Sequence, residues 1–265
     1  MMEFTLHNKI ALVTGGGSGI GRAIALAFAK AGAAVAVVGR APSKLNAVAD
    51  QIRRNGGQAL AIPGDVSQGD DVAAAVEGTV AAFGGLDILI NSAGYSPSGR
   101  VTDISEEEWD ACLAVNLRSV FLTAKAAIPH MQQRSAGVIL NIAGTFGLRA
   151  AANKAAYSTA KAGVINLSRA IAIDYGQNRI RCNVICPGYV DTPLTMSIPP
   201  TERNAFLAAT QPLPGIIQPD DVAALAVYLA SDGATMITGQ VFVIDGGQQA
   251  GLYAGRAISS VGTLR

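Results

Sequence analysis

The chain has 265 residues, 50% of them hydrophobic and 15% charged, enough to bury a large core in one α/β unit rather than two small ones. A formal net charge of +1, with Lys and Arg scattered, argues against a nucleic-acid surface, and three cysteines in apolar surroundings, Cys112, Cys182 and Cys186, argue against a disulfide framework or a metal centre. Met1–Lys9 carries Glu3 with no long apolar segment after it, and no uncharged apolar run approaches the length of a membrane span, so neither a signal peptide nor a membrane partner is expected. The mean hydropathy of +0.33 then points to a sheet buried on both faces, and a reducing, cytoplasmic compartment is the default expectation.

Short β-branched runs alternate with amphipathic helical stretches, the pattern of parallel strands joined by helical crossovers. Strands are expected near Ile10–Val13, Ala34–Val38, Ala59–Ile62, Ile88–Ile90, Val138–Ile142, Ile180–Ile185 and Val241–Ile244. Helices are expected near Gly19–Ala31, Ser43–Arg54, Gly69–Phe83, Glu106–Gln133, Lys154–Tyr175 and Pro219–Leu229, several opening on Ser, Thr, Asp or Pro. The segment Pro193–Pro219 holds further prolines and little regular pattern, as a specificity loop would. No repeat or linker divides residues 1–265, and a tail begins at about 248. In such a sheet, ligands bind beyond the carboxyl ends of the strands, where the strand order reverses.

Between the first strand and the first helix, Thr14–Gly21 reads Thr-Gly-Gly-Gly-Ser-Gly-Ile-Gly. A strand that turns at once into a helix, with its backbone pressed against a ligand, needs residues without a Cβ. The helix start offers a phosphate its unpaired N–H groups and the positive end of its dipole. Gly15, Ser18, Gly19, Ile20 and Gly21 are therefore candidates to hold a dinucleotide, against the alternative of a tight structural turn. The spacing Gly15-x-x-x-Gly19-x-Gly21 fits neither G-x-G-x-x-G nor a phosphate loop ending in Gly-Lys-Ser/Thr, which argues against nucleoside triphosphate hydrolysis.

The end of the second strand selects the nucleotide. An acid there would accept the ribose 2′-hydroxyl of NAD, whereas an arginine accommodates the 2′-phosphate of NADP. Gly39 stands in the acid's place and Arg40 follows, so NADP is expected over NAD. Ser43 is either a second donor to that phosphate or a helix cap. Further on, Tyr157 and Lys161 lie four apart on an expected helix, which puts phenol and ammonium on one face. An adjacent cation lowers a phenol's pKa, making Tyr157 a candidate general acid and base, although such a pair is also ordinary surface and packing chemistry.

Together, Thr14-Gly15-x-x-x-Gly19-Ile20-Gly21, Asp65-Val66, Asn91-x-Ala93-Gly94, Asn116, Tyr157-x-x-x-Lys161 and Pro187-Gly188-x-x-x-Thr192 resemble the short-chain dehydrogenase/reductase family in its compact form, over Lys9–Gly247. The resemblance implies a Rossmann-type doubly wound, mostly parallel seven-stranded sheet with helices on both faces. It implies hydride transfer between a nicotinamide cofactor and a carbonyl or secondary alcohol. Tyr157 would exchange the proton, Lys161 would lower its pKa and bind the nicotinamide ribose, and Asn116 would hold a water linking that lysine to solvent. Asn91 and Ala93 would line the adenosine and ribose path, Val190 and Thr192 would position the carboxamide, and Asp65, Val66, Gly94, Pro187 and Gly188 would complete the cofactor set. The last strand, leading into Asp245-Gly246-Gly247, would help to assemble a homotetramer.

One position departs from that pattern. The family usually places a serine thirteen residues before the tyrosine, where its hydroxyl steadies the developing oxyanion. Here that position is Gly144, and Asn141 and Gly147 on either side keep their expected places. Thr145 is adjacent, but in an extended segment its side chain would point the opposite way unless a bulge re-aimed it. The rival to an active oxidoreductase is therefore a nucleotide-binding protein with weakened turnover. A depleted site should show open space or an ordered water beside Tyr157, and Gly144→Ser should raise kcat; a hydroxyl from Thr145 or another residue in that place would mark a rebuilt site instead.

Overall fold

In the first strand of the computed structural model, which describes residues 4–196, 198–251 and 253, Ala11 and Val13 join one core cluster and Leu12 the other. Successive strand side chains alternate between faces, so a strand apolar on both sides must be covered on both. The second strand divides likewise, Val35 and Val37 against Ala36 and Val38.

The elements run β1 (Ile10–Thr14), α1 (Gly19–Lys30), β2 (Ala34–Gly39), α2 (Pro42–Arg54), β3 (Ala59–Pro63), α3 (Gly69–Phe83) and β4 (Ile88–Asn91). Next come α4 (Glu106–Leu113), a π turn (Ala114–Arg118), α5 (Ser119–Gln133), β5 (Gly137–Ile142) and α6 (Ala155–Tyr175). The last are β6 (Ile180–Pro187), α7 (Pro200–Thr210), α8 (Pro219–Ala230) and β7 (Val241–Ile244). The strands form one parallel seven-stranded sheet in the order β3-β2-β1-β4-β5-β6-β7, the Rossmann-type arrangement expected. Ile24, Phe28, Leu45, Ile52, Val222 and Leu229, from α1, α2 and α8, cover one face. Val72, Val76, Ala127, Ile128, Met131 and Ile171, from α3, α5 and α6, cover the other. Strand order reverses between β1 and β4, so the crevice opens beyond Thr14 and Asn91.

One expectation needs correction. The segment Pro193–Pro219 contains a helix, α7. Its Pro200 sits in the first turn, where a missing N–H costs nothing. The stretch Glu106–Gln133 is continuous through its π turn and, by length and composition, apolar enough to cross a membrane. Its apolar residues Val120, Ala124, Ala127, Ile128 and Met131 are instead buried inside the protein.

Candidate cofactor and catalytic site

A cleft of ≈ 320 Å³ lies at the switch point, walled by Gly15–Gly21 residues, the β2 end, Asp65 and Val66, Ser92–Gly94, Val115 and Thr192–Leu194. Gly15 takes φ 66°, and a Cβ there would come within 3.0 Å of Ala93 Cα and N. Only glycine lets the turn after β1 close on the turn after β4. Ser18 precedes α1 without spending its hydroxyl on a cap, and no acid occupies the helix's first turn. The positive end of α1 is thus left for an anion.

At the far end of the cleft stand Gly39, Arg40 and Lys44. Among the described residues neither cation enters an ion pair. Ser43, weighed above as a second donor, is exposed and is not a wall of the cleft; Lys44, one residue on in the first turn of α2, is. Asp65 and Val66 also line this end. Asp65 Oδ1 accepts Ser67 N–H at 2.9 Å and Ser67 Oγ at 2.8 Å, which fixes the turn.

Asn91 does not reach the cleft as expected. It is buried, donating Nδ2 to Asn141 Oδ1 at 2.8 Å and accepting Thr123 Oγ1 at 2.8 Å. Asn141 Nδ2 continues to Ser168 Oγ at 2.8 Å, so the chain of amides ties β4 to β5 and α6 beneath the cleft floor. The wall itself is Ser92, Ala93 and Gly94. Val190 is buried and bridges to Ile217, and Gly188 packs on Asp245. These two and Pro187, at the end of β6, stand outside the cleft walls, whereas Thr192 lies within them.

Beyond β5 the catalytic candidates meet. Tyr157 Oη lies 3.7 Å, and Pro187 O 3.8 Å, from where a Cβ on Gly144 would sit. Lys161 Nζ, fully buried beneath, donates to Ile142 O at 2.9 Å and lies 5.5 Å from the Tyr157 ring centroid. Burial pushes Lys161 down to about 8. It also pushes the Tyr157 phenol above its ordinary range. The expected lowering of Tyr157 by Lys161 is not seen in this geometry, where burial dominates and raises the phenol; one of the ammonium's three protons goes to the Ile142 carbonyl.

Asn116 sits within the π turn, as active-site bulges often do. Its Nδ2 donates to Tyr95 O at 2.6 Å and Cys112 O at 2.9 Å, and its Oδ1 accepts Tyr95 N–H at 3.4 Å. The side chain thus pins the loop after Gly94 rather than turning toward Lys161. Cys112, Cys182 and Cys186 are free and buried, and burial raises all three thiols, Cys182 to about 12. They are packing groups, not nucleophiles.

A family model described as enoyl-(acyl carrier protein) reductase matches residues 15–249. The (2S)-[(R)-hydroxy(phenyl)methyl]succinyl-CoA dehydrogenase subunit BbsD of Thauera aromatica is 37% identical over 94% of this chain and 99% of its own. A short-chain type dehydrogenase/reductase from Mycobacterium marinum superposes with a TM-score of 0.89 at 36% identity, covering 94% and 98% of the two chains. A 7α-hydroxysteroid dehydrogenase, solved with NADH and 7-oxo glycochenodeoxycholic acid, gives 0.90 at 32%, covering 92% and 96%. The chain belongs to the short-chain dehydrogenase/reductase family. It is accordingly an enzyme of the NAD(P)-dependent oxidoreductase kind.

Within that family, Gly144 is more than a missing hydroxyl. It takes φ 146°, ψ 159°, a region essentially closed to residues with a Cβ. The chain leaves its extended course there, and Thr145 opens a 3-10 turn closed by Gly147 N–H to Gly144 O at 2.9 Å. A Cβ on Gly144 would stand in ordinary van der Waals contact with Tyr157 Oη and Pro187 O, so a side chain there is not blocked by a clash, but the backbone has a shape that serine does not adopt freely. Lys44 escaped the sequence reading because an exposed lysine in a helix carries no signal until the fold turns that helix toward the cleft.

Proposed function

We propose that this short-chain dehydrogenase/reductase transfers a hydride between NADP and a carbonyl or secondary alcohol, with Tyr157 as general acid and base, the proton donor in the reducing direction. The observation that carries the reading is the convergence on one sheet edge. An anion-ready glycine turn lies between two cations, Arg40 and Lys44, that enter no ion pair among the described residues, at one end, and a tyrosine–lysine pair at the other. Bound in the cleft, the nicotinamide would supply the hydride. Gly15, Ser18, Gly19, Ile20 and Gly21 would hold the pyrophosphate; Arg40 and Lys44 would pair with the 2′-phosphate; Asp65, Val66, Ala93 and Gly94 would flank the adenosine and ribose. Thr192, with Val190, Pro187 and Gly188 behind it, would seat the carboxamide.

Tyr157 would donate its phenolic proton to the carbonyl oxygen; burial raises its pKa and so opposes that transfer, which leaves the neighbouring ammonium to favour it. Lys161 would bind the ribose and offset the phenolate's charge as it forms. Asn116 would act through the loop it pins. The 7α-hydroxysteroid relative was solved with NADH, so NADP for this chain rests on Arg40 and Lys44. The alternative, a nucleotide-binding protein with weakened turnover, is favoured only by Gly144, and the intact Tyr157–Lys161 geometry weighs against it.

The experiment is NADPH and NADH oxidation with a panel of ketones, 3-oxoacyl thioesters and sugars. Preference for NADPH should fall about 10- to 100-fold in Arg40→Ala, since charge-assisted hydrogen bonds are lost. Equal affinity for both nucleotides in the unmutated enzyme would remove the basis for NADP. Phe121 on α5 and Val243 on β7 are exposed apolar residues on outer elements, which supports a homotetramer with closed symmetry. Light scattering that gives a monomer mass at micromolar concentration would overturn that. The free, buried cysteines suit a cytoplasmic setting, which thiol labelling of the cell fraction holding the protein would test.

A further inference from the structure

After Gly94 the chain leaves the cleft wall and runs through Tyr95-Ser96-Pro97-Ser98-Gly99, a loop built around one cation. Lys154 Nζ donates to Ser98 Oγ at 2.8 Å, Ser96 Oγ at 3.1 Å, Pro97 O at 3.2 Å and Ser96 O at 3.4 Å. An ammonium carries three protons, so these oxygens take up everything it can give. All four are neutral, and among the described residues no carboxylate pairs with Lys154. The loop is fastened at both ends as well. Gly99 N–H donates to Asn153 O at 2.9 Å, Gly99 bridges to Lys154, and Asn116 holds both backbone groups of Tyr95.

The other side of the clamp is the catalytic helix. Lys154 immediately precedes α6, and its carbonyl accepts Ser158 N–H at 2.8 Å, so its backbone is the first turn of the helix that presents Tyr157. Burying the ammonium there has a cost, visible as desolvation lowering its pKa. A polar loop on a surface does not need such a cation to stay in solution. The cage makes sense if the distance between the loop and Tyr157 matters.

We propose that Lys154 is a positioning residue that sets the substrate-side wall, locking Tyr95–Gly99 to the start of α6 so that the carbonyl substrate meets Tyr157 in one orientation. This rests on Tyr157 being the proton donor. Lys154 acts through the loop and touches neither cofactor nor reacting atoms.

The test compares Lys154→Met, which keeps the aliphatic stem, with Lys154→Arg, which keeps the donors. In the Met variant, KM for the carbonyl substrate should rise about tenfold or more, because hydrogen bonds from a charged donor are lost. The same variant should show kcat changed far less and an unaltered dissociation constant for the nucleotide. The Arg variant should recover most of the KM. Hydrogen exchange across Tyr95–Arg100 should quicken in the Met variant while the exchange of β1 and β4 stays as it was. An unchanged KM, or a nucleotide constant that rises in step with it, would overturn the proposal. If Lys154→Met does not fold, the pair Ser96→Ala and Ser98→Ala loosens the cage from its other side and should raise KM by a smaller factor; no rise there counts against the proposal equally. If the unmutated enzyme reduces no carbonyl, the functional reading fails by itself. Exchange then decides this inference alone, with unaltered protection of the loop overturning it.

Discussion

At the residue scale, Gly144 joins two effects of opposite sign. An oxyanion donor is worth about 10² to 10³ in turnover, but a side chain at φ 146° carries strain of roughly 1 to 3 kcal/mol. Gly144→Ser should therefore raise kcat by less than the full donor factor and lower the melting temperature at the same time, measured by steady-state assay and calorimetry on one preparation. Gain without destabilisation would show that the turn relaxes freely; destabilisation without gain would show that the hydroxyl is not what the site lacks. The Tyr157–Lys161 pair was legible in sequence because helical spacing alone puts the two groups on one face. Their protonation was not, because burial depends on what packs above them. Asn91 was misplaced for a similar reason: its position at a strand end is set by sequence order, while the partners that turn it inward, Asn141 and Thr123, come from remote elements.

At the element scale, the amide chain from Thr123 through Asn91 and Asn141 to Ser168 joins α5, β4, β5 and α6 under the site. Asn141→Ala would leave Asn91 Nδ2 buried without its partner, at a cost of about 1 to 3 kcal/mol. The expected result is a lower urea midpoint with an unchanged slope, together with weaker nucleotide binding as the wall at Ser92–Gly94 loosens. Equal stability would mean that the network adapts. All six expected helices and all seven strands were legible because their residues are apolar on the faces that the sheet buries. By contrast, α7 buries only Leu207, so no periodic stripe marks it, and the prolines around it read as irregular chain. The single expected helix over Glu106–Gln133 carries a π turn, which hydrophobic periodicity does not mark.

Across the whole molecule, the buried Lys161 couples the site to stability. Its pKa falls from 10.5 in the unfolded chain to about 8 in the fold, because burial disfavours the ammonium. Below pH 8 both states hold the proton and the full cost of burying the charge is present. Between about 8 and 10.5 the unfolded chain binds more protons than the folded one, so this group's contribution to stability rises with pH across that window. Urea unfolding at pH 7 and pH 9.5 should show the enzyme gaining relative to Lys161→Met, and parallel curves would refute a buried ammonium. In the proposed reading Tyr157 gives its proton to the reacting carbonyl, and the central claim stands on that residue. The most direct measurement is NADPH oxidation with an accepted ketone by Tyr157→Phe, alongside titration of the variant with NADPH. The account predicts turnover reduced by about 10² to 10⁴ with nucleotide affinity unchanged. Turnover at the unmutated rate would contradict it and assign the proton to another group.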